Sequence, residues 1–356
     1  MNTTYRDDVH SWVQDYYGQV LKSSSDLKTN ACCAVPPPGW IREPMSHVHP
    51  EVLAKFYGCG FPVPEALDGR TIVDLGCGAG RDVYLIAQLA GEAGRVVGVD
   101  MTDEQLDTAR AHVDWHRERF GFSKSNVEFV KSYIEDLSAI GVEKGTADVV
   151  VSNCVVNLSP RKDLVLAEAH RVLAQGGEFY LSDVVVDRRL PQDVSSDPVL
   201  HSECLGGAMY RHDFESLAKR VGFLDPRVVS VDPITIQNEE IQKKVGAARF
   251  FSVTYRLYKL DALEERCEDY GQLATYRGGL RGQEHVFTLD EHHIFEAGRP
   301  ERVCGNTAMM LSDTRFAAYF DVVGERATHY GAFDCSSTMA ADVYRAPEQL
   351  DSGSCC

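Results

Sequence analysis

The stretch TIVDLGCGAGRD, residues 71–82, passes from a short apolar strand through a glycine-rich loop into the start of a helix. A dinucleotide fingerprint GxGxxG needs its third glycine at position 81, where Arg81 stands, so a nicotinamide-type register is not met. The glycines fall instead at Gly76, Gly78 and Gly80, and let backbone approach a ligand closely at a helix N-terminus. Working outward, Val83, Ile86, Ala87 and Ala90 recur at helical spacing, and RVVGVD (95–100) supplies a second strand. Thr102 and Gln105 form a capping-box pattern ahead of a helix carrying Leu106, Ala109, Val113 and Phe120. NVEFVKSYIED (126–136), ADVVVSNC (147–154) and GGEFYLSDVVV (176–186) read as strands three to five. Ser159 as N-cap and Pro160 at the first helical position open the helix between the last two, and Gly176-Gly177 closes it. Strands alternating with such helices predict an α/β fold with a doubly wound, mostly parallel sheet, which binds ligands at the carboxyl ends of its strands.

Around this unit, residues 1–68 read as an N-terminal arm or lid, with four prolines in 36–44 keeping that part extended. The nucleotide-type domain is assigned to 69–233, a smaller α+β C-terminal domain to 234–345, and a flexible cysteine-bearing tail to 346–356. In the smaller domain FFSVTYRLYKL (250–260) reads as a half-exposed strand, HHIFEAGRPERV (292–303) as a hairpin around Gly298, and AMMLSDTRFAAYF (308–320) as a short helix. A formal net charge of -17 argues against a nucleic-acid partner. No basic-then-apolar leader opens the chain, and no apolar run of roughly 18 residues exists, so no membrane partner is expected. A cytoplasmic monomer is expected, in which the Asn2-Thr3-Thr4 glycosylation match is chance.

The pattern D-x-G-x-G-x-G at Asp74, Gly76, Gly78 and Gly80 is that of class I S-adenosylmethionine methyltransferases. Asp100, ending strand two, is placed to accept hydrogen bonds from ribose hydroxyls. Ile134 and Glu135, ending strand three, suit an adenine face and its amino group, while Cys77 within the loop reads as a small filler. Eleven cysteines occur without a CxxC pair, so neither a zinc ribbon nor a thioredoxin-type motif is present. Strand four ends in Ser152-Asn153-Cys154, with no His, Asp or Glu to act as base for an oxygen or nitrogen acceptor. An isolated Cys154 is most economically a core residue. Cys59, just before strand one, and Cys204, after strand five, flank the same pocket topologically, and three thiols make a good soft-ion site. A methyltransferase of a small quinone- or sterol-like acceptor and a cysteine-rich metal-binding or sensor protein are the other readings. His47-x-His49 and His292-His293 are read as surface histidines rather than ligand pairs, and Cys267, Cys304 and Cys335 as structural.

YGCG (57–60), DLGCGAGRD (74–82), GVDMT (98–102), SYIEDL (132–137), VVSNCVVNL (150–158), EAHRVL (168–173), GGEFYLSDV (176–184) and ECLGGA (203–208) resemble the arsenite S-adenosylmethionine methyltransferases of animals and algae. The resemblance runs from about Lys28 to Phe333 and includes PITIQN (233–238) and the glycine-rich element Gly278–Glu284. It implies trivalent arsenic held by the thiolates of Cys59, Cys154 and Cys204, whose lone pair attacks the methyl group. It implies Cys32 as a fourth cysteine in a disulfide relay, although the adjacent Cys33 leaves open which of the two enters it. Cofactor contacts carry over to Tyr57, Gly76, Cys77, Met101, Gln105, Ile134, Glu135 and Asn153, with Cys77 standing where the family often has serine. Tyr57 would set its ring against the sulfonium. Methylation formally oxidises arsenic, so the implied partners are arsenite or its glutathione conjugate and a glutathione or thioredoxin reductant. Cys355-Cys356 is either an arsenic-capturing pair or a dispensable end.

Overall fold

The computed structural model describes residues 3–21, Asp26 and 38–335. Cys32, Cys33, Cys355 and Cys356 lie outside the described residues, as do Asn2 and the tail. β1 (Thr71–Leu75), β2 (Arg95–Asp100), β3 (Val127–Lys131), β4 (Ala147–Asn153) and β5 (Leu173–Val186) form a parallel sheet. It is completed by β6 (Met209–Tyr210), β7 (Arg227–Ile234) and β8 (Phe250–Tyr258), in the order β3-β2-β1-β4-β5-β8-β7 with β6 on the end of β5. β8 runs antiparallel to both β5 and β7. The apolar runs of β1, β4 and β5 are buried because helices cover both faces, which is why they do not alternate with polar residues. The doubly wound, mostly parallel α/β sheet is therefore the one expected, and its strand order reverses between β1 and β4.

Several local readings need correction. Every residue of β8 is buried, so 250–258 is not a half-exposed strand of the smaller unit. Its polar positions, Ser252, Thr254 and Arg256, find partners inside the protein, and the alternation that suggested solvent marks a polar seam instead. β3 stops at Lys131, leaving Ile134 and Glu135 in the following loop. The helix after β4 is Lys162–Val172, so Ser159 and Pro160 precede it, and β5 begins at Leu173 and runs through Gly176-Gly177. Thr102 does sit at the N-cap of helix Asp103–Ala111, but its side chain makes no cap, and Gln105 Nε2 donates to the Tyr17 carbonyl instead.

Beyond β8, strand Gln272–Tyr276 pairs with Pro300–Val303 and Phe320–Val323, and Val286–Asp290 pairs with His293–Glu296. The hairpin thus turns at 291–292; Gly298 lies where the chain changes sheets. Helix Gly305–Ser312 is shorter than the stretch read from sequence, since residues 320–323 join the sheet. Phe287, Phe295, Phe316 and Phe320 form the centre of a separate apolar core.

Candidate active site

The carboxyl ends of β1, β2 and β4 open on a cleft at the switch point of the sheet, the place where such sheets bind ligands. Its wall contains Asp74, Gly76, Cys77, Gly78, Asp100, Met101, Gln105, Ile134, Glu135, Asn153 and Tyr57 from the sequence-derived set, together with Cys154. Gly80 does not line it. Gly80 holds φ +90°, and a Cβ there would lie 2.9 Å from the Phe129 ring, so this glycine serves the turn into helix Arg81–Ala90.

Asp100 accepts from the amide of Gly78 (2.9 Å) and that of Thr102 (2.8 Å), which fixes the carboxylate at the mouth of the glycine loop. Burial pushes its pKa up, and these hydrogen bonds oppose the rise. Burial also pushes Asp74 well above the usual carboxylate range, with the nearby Asp82 and Asp100 charges adding to it. Burial pushes the Cys77 thiol up as well, which suits packing rather than nucleophilic duty. Against burial, which pushes Glu135 up, hydrogen bonds from His10 and Ser159 hold it below its ordinary value. The ring of His10 lies 3.0 Å from Glu135 and stacks on Tyr133, bringing the first helix over the cleft. Among the described residues, the buried Tyr57 hydroxyl and the Gln105 carbonyl oxygen have no hydrogen-bond partner. Unsatisfied polar atoms on residues that line a cleft with a glycine cradle fit a bound polar cofactor.

Asn153, which lines the cleft, also has a structural job. Its amide nitrogen donates to the Gly60 carbonyl and to Asp82 (both 2.9 Å), and its oxygen accepts from the Gly60 amide (3.2 Å). The side chain thereby ties the YGCG segment to the end of β4. A Cβ at Gly58 would lie 2.5 Å from the Asn153 side chain, and one at Gly60 2.7 Å from Ser182 Oγ, so both glycines permit this approach. Between them, Cys59 reaches Cys154 and is joined to it by a disulfide. Cys204 approaches from the other side, its Sγ donating to the Cys154 carbonyl at 3.0 Å. The three sulfurs expected to converge do so, with two of them oxidised to each other. Cys59 and Cys204 stand behind the cleft wall, and Cys154 faces it.

Cys154 (φ +57°) and Cys204 (φ +64°) both hold left-handed backbone, which they share with only Ala66 among the described non-glycine residues. Each such residue costs on the order of 1–3 kcal/mol and persists where the surroundings over-determine it, characteristically at functional sites. Asp183 completes the cluster: its carboxylate and the sulfurs of Cys154 and Cys204 lie within 4.8 Å of one another. Burial pushes its pKa up to about 6. Asn157 holds it through its side chain (2.7 Å) and its backbone amide (3.1 Å). Lys162, lowered to about 8 by burial, faces Asp183 and Cys204. The segment carrying Cys204 is pinned by Tyr16 to Glu203 and by Tyr17 to the Ser202 carbonyl. Asp183, Asn157, Lys162 and His10 were missed in the sequence. A charged residue inside the apolar run YLSDVVV was the available signal for Asp183.

The histidine pairs do not act as pairs. His47 contacts Gln88, His49 stacks on His112, and His293 binds Asp290. Among the described residues no helix is long and apolar enough to cross a membrane.

Residues 67–223 match a methyltransferase domain family, and residues 270–356 the arsenite methyltransferase C-terminal domain. An arsenite methyltransferase of Aquipseudomonas alcaligenes is 54% identical over 350 residues, 98% of this chain and 100% of the relative. The human arsenite methyltransferase is 43% identical, over 96% and 91% of the two chains. The crystal structure of an arsenic(III) S-adenosylmethionine methyltransferase from Chlamydomonas reinhardtii superposes with a TM-score of 0.81 at 49% identity, covering 84% of this chain and 100% of that one. Its sheet is accordingly that of the class I methyltransferases, and identity of this extent over both chains is kinship of whole proteins: the chain belongs to the arsenite methyltransferase family.

Proposed function

We propose that this protein transfers methyl groups from S-adenosylmethionine to trivalent arsenic held by the thiolates of Cys59, Cys154 and Cys204. The observation that carries the reading is the meeting of three cysteines from distant parts of the chain beside the cofactor cleft, two of them in strained backbone. When bound, the cofactor supplies an electrophilic methyl group on a sulfonium. The chain's part is to hold the acceptor in line with it, which is where near-attack geometry lowers the barrier. Three thiolates leave a pyramidal arsenic with an exposed lone pair and no proton to remove, so the site needs no general base. Tyr57 and Gln105 offer their unpaired oxygens to the cofactor, and Asp100 its carboxylate to the ribose.

The Cys59–Cys154 disulfide fits the oxidised end of a relay. Methyl transfer takes arsenic from the trivalent to the pentavalent state; two thiolates return two electrons by forming a disulfide, and glutathione or thioredoxin would reduce it. Cys32, or its neighbour Cys33, is the proposed further member of that relay.

The test is transfer of labelled methyl groups to arsenite in the presence of glutathione. Wild type is expected to form methylated arsenic, and Cys154→Ser and Cys204→Ser to lose at least 100-fold, on the order of 3 kcal/mol in the barrier. No methylated arsenic from wild type, or full activity in both variants, overturns the reading. Thiol-independent methylation of a quinone or sterol would favour the organic acceptor instead.

A further inference from the structure

Three more cysteines meet in the C-terminal region, away from the cleft. Cys267 precedes strand Gln272–Tyr276, and its carbonyl accepts from Phe333. Cys304 caps helix Gly305–Ser312, its sulfur accepting from the Thr307 amide at 3.4 Å. Cys335 follows the segment that bridges Glu268 through Ala332. Their sulfurs lie within 4.8 Å of one another, all three are free thiols, and Cys304 is fully buried while the others are partly open. Arg227 stands beside them, its Nη2 3.8 Å from Cys304 Sγ, and is itself held by Asp225 and Asp290. Thiolates select soft, thiophilic centres.

We propose that Cys267, Cys304 and Cys335 form a second, non-catalytic site that binds trivalent arsenic through three sulfurs. The donor number decides between ions. Structural zinc asks for four protein ligands, and among the described residues no fourth His, Cys, Asp or Glu joins this group. A three-coordinate pyramidal centre is satisfied by the three present. Binding is an exchange without redox: arsenious acid and three thiols give one As–S3 centre and three waters, the three As–O bonds being replaced by three As–S bonds. The choice of arsenic as the encountered ion rests on the function proposed above; the convergence of the thiols does not.

The experiment uses the full chain, reduced and incubated with arsenite, with bound arsenic per chain counted after gel filtration and its sulfur coordination read by X-ray absorption. A Cys154→Ser/Cys204→Ser background removes the proposed substrate site. That background is expected to keep one arsenic with three sulfur neighbours, and addition of Cys304→Ser to remove one equivalent. If Cys304→Ser unfolds the protein by circular dichroism, the less buried Cys335→Ser is expected to do the same while folded. A background that binds no arsenic, a three-sulfur arsenic that persists after these substitutions, or a resident zinc that arsenite does not displace overturns the proposal. Failure of the proposed methyl transfer would appear instead in the activity assay and leave this count unchanged.

Discussion

Asp100 and Asp183 illustrate how one residue type takes two roles from its surroundings. Asp100 is aimed by two backbone amides at the cleft. Asp100→Ala is expected to weaken cofactor binding at least fivefold, since each hydrogen bond removed is worth about 1 kcal/mol; calorimetric titration with cofactor checks it. Asp183 lies among sulfurs rather than solvent, and burial takes its pKa from 3.8 to about 6. Between those values the folded protein binds a proton that the unfolded chain does not, so this group's contribution favours folding below pH 4 and is lost as pH rises to 6. The displacement corresponds to about 3 kcal/mol. Asp183→Asn is expected to lose that part of the fall in stability between pH 4 and 6, read by urea unfolding at a series of pH values; an unchanged slope would show that Asp183 is not buried as described. That this aspartate belongs to the cysteine cluster was not legible in the sequence, because strand register and a left-handed turn at Cys154 bring it there. The three cysteines were legible, but only through motif resemblance, since residue spacing of 95 and 50 carries no geometric information.

At the scale of elements, the glycine loop and its strand-helix frame followed directly from local pattern, because each depends on neighbours within about ten residues. Pairings across the chain did not. Gly176 looked like a helix stop, yet it sits inside β5 at φ +75°, where a Cβ would lie 2.3 Å from the Asp313 carbonyl oxygen. Its small size lets the end of helix Gly305–Ser312 settle on the sheet. Gly176→Ala is expected to cost about 2–3 kcal/mol, from left-handed strain and a clash with backbone that cannot move aside. A lowered midpoint in urea, with kcat at low temperature near wild type, is the anticipated result. Similarly, β8 was read as half-exposed because its polar positions alternate; they alternate because one face meets Cys59, Ser182 and buried carboxylates.

Across the whole molecule, the arm, the main sheet and the C-terminal region share one buried ionic network. Arg256 of β8, without exposed surface, binds Glu65 at 2.6 Å and Glu178 at 3.2 Å. Arg315 pairs with Glu178 and donates to the Glu65 carbonyl, and Gln283 holds the other oxygen of Glu65. Removing one partner leaves buried charge uncompensated, so Arg256→Met is expected to cost about 3–5 kcal/mol in thermal or urea unfolding. A near-neutral effect would mean that the parts are joined mainly by apolar contact. The Cys59–Cys154 bond has a consequence at the same scale, because it closes a loop spanning 95 positions, and such a closure restricts the unfolded chain by about 4–5 kcal/mol. On the proposed chemistry that ring is shut in two alternating ways, by a sulfur–sulfur link after turnover and by a sulfur–arsenic–sulfur clasp while substrate is held. Turnover passes the fastening directly from the arsenic clasp to the disulfide, and the ring opens only on the way back, in the reduced enzyme waiting for its ion.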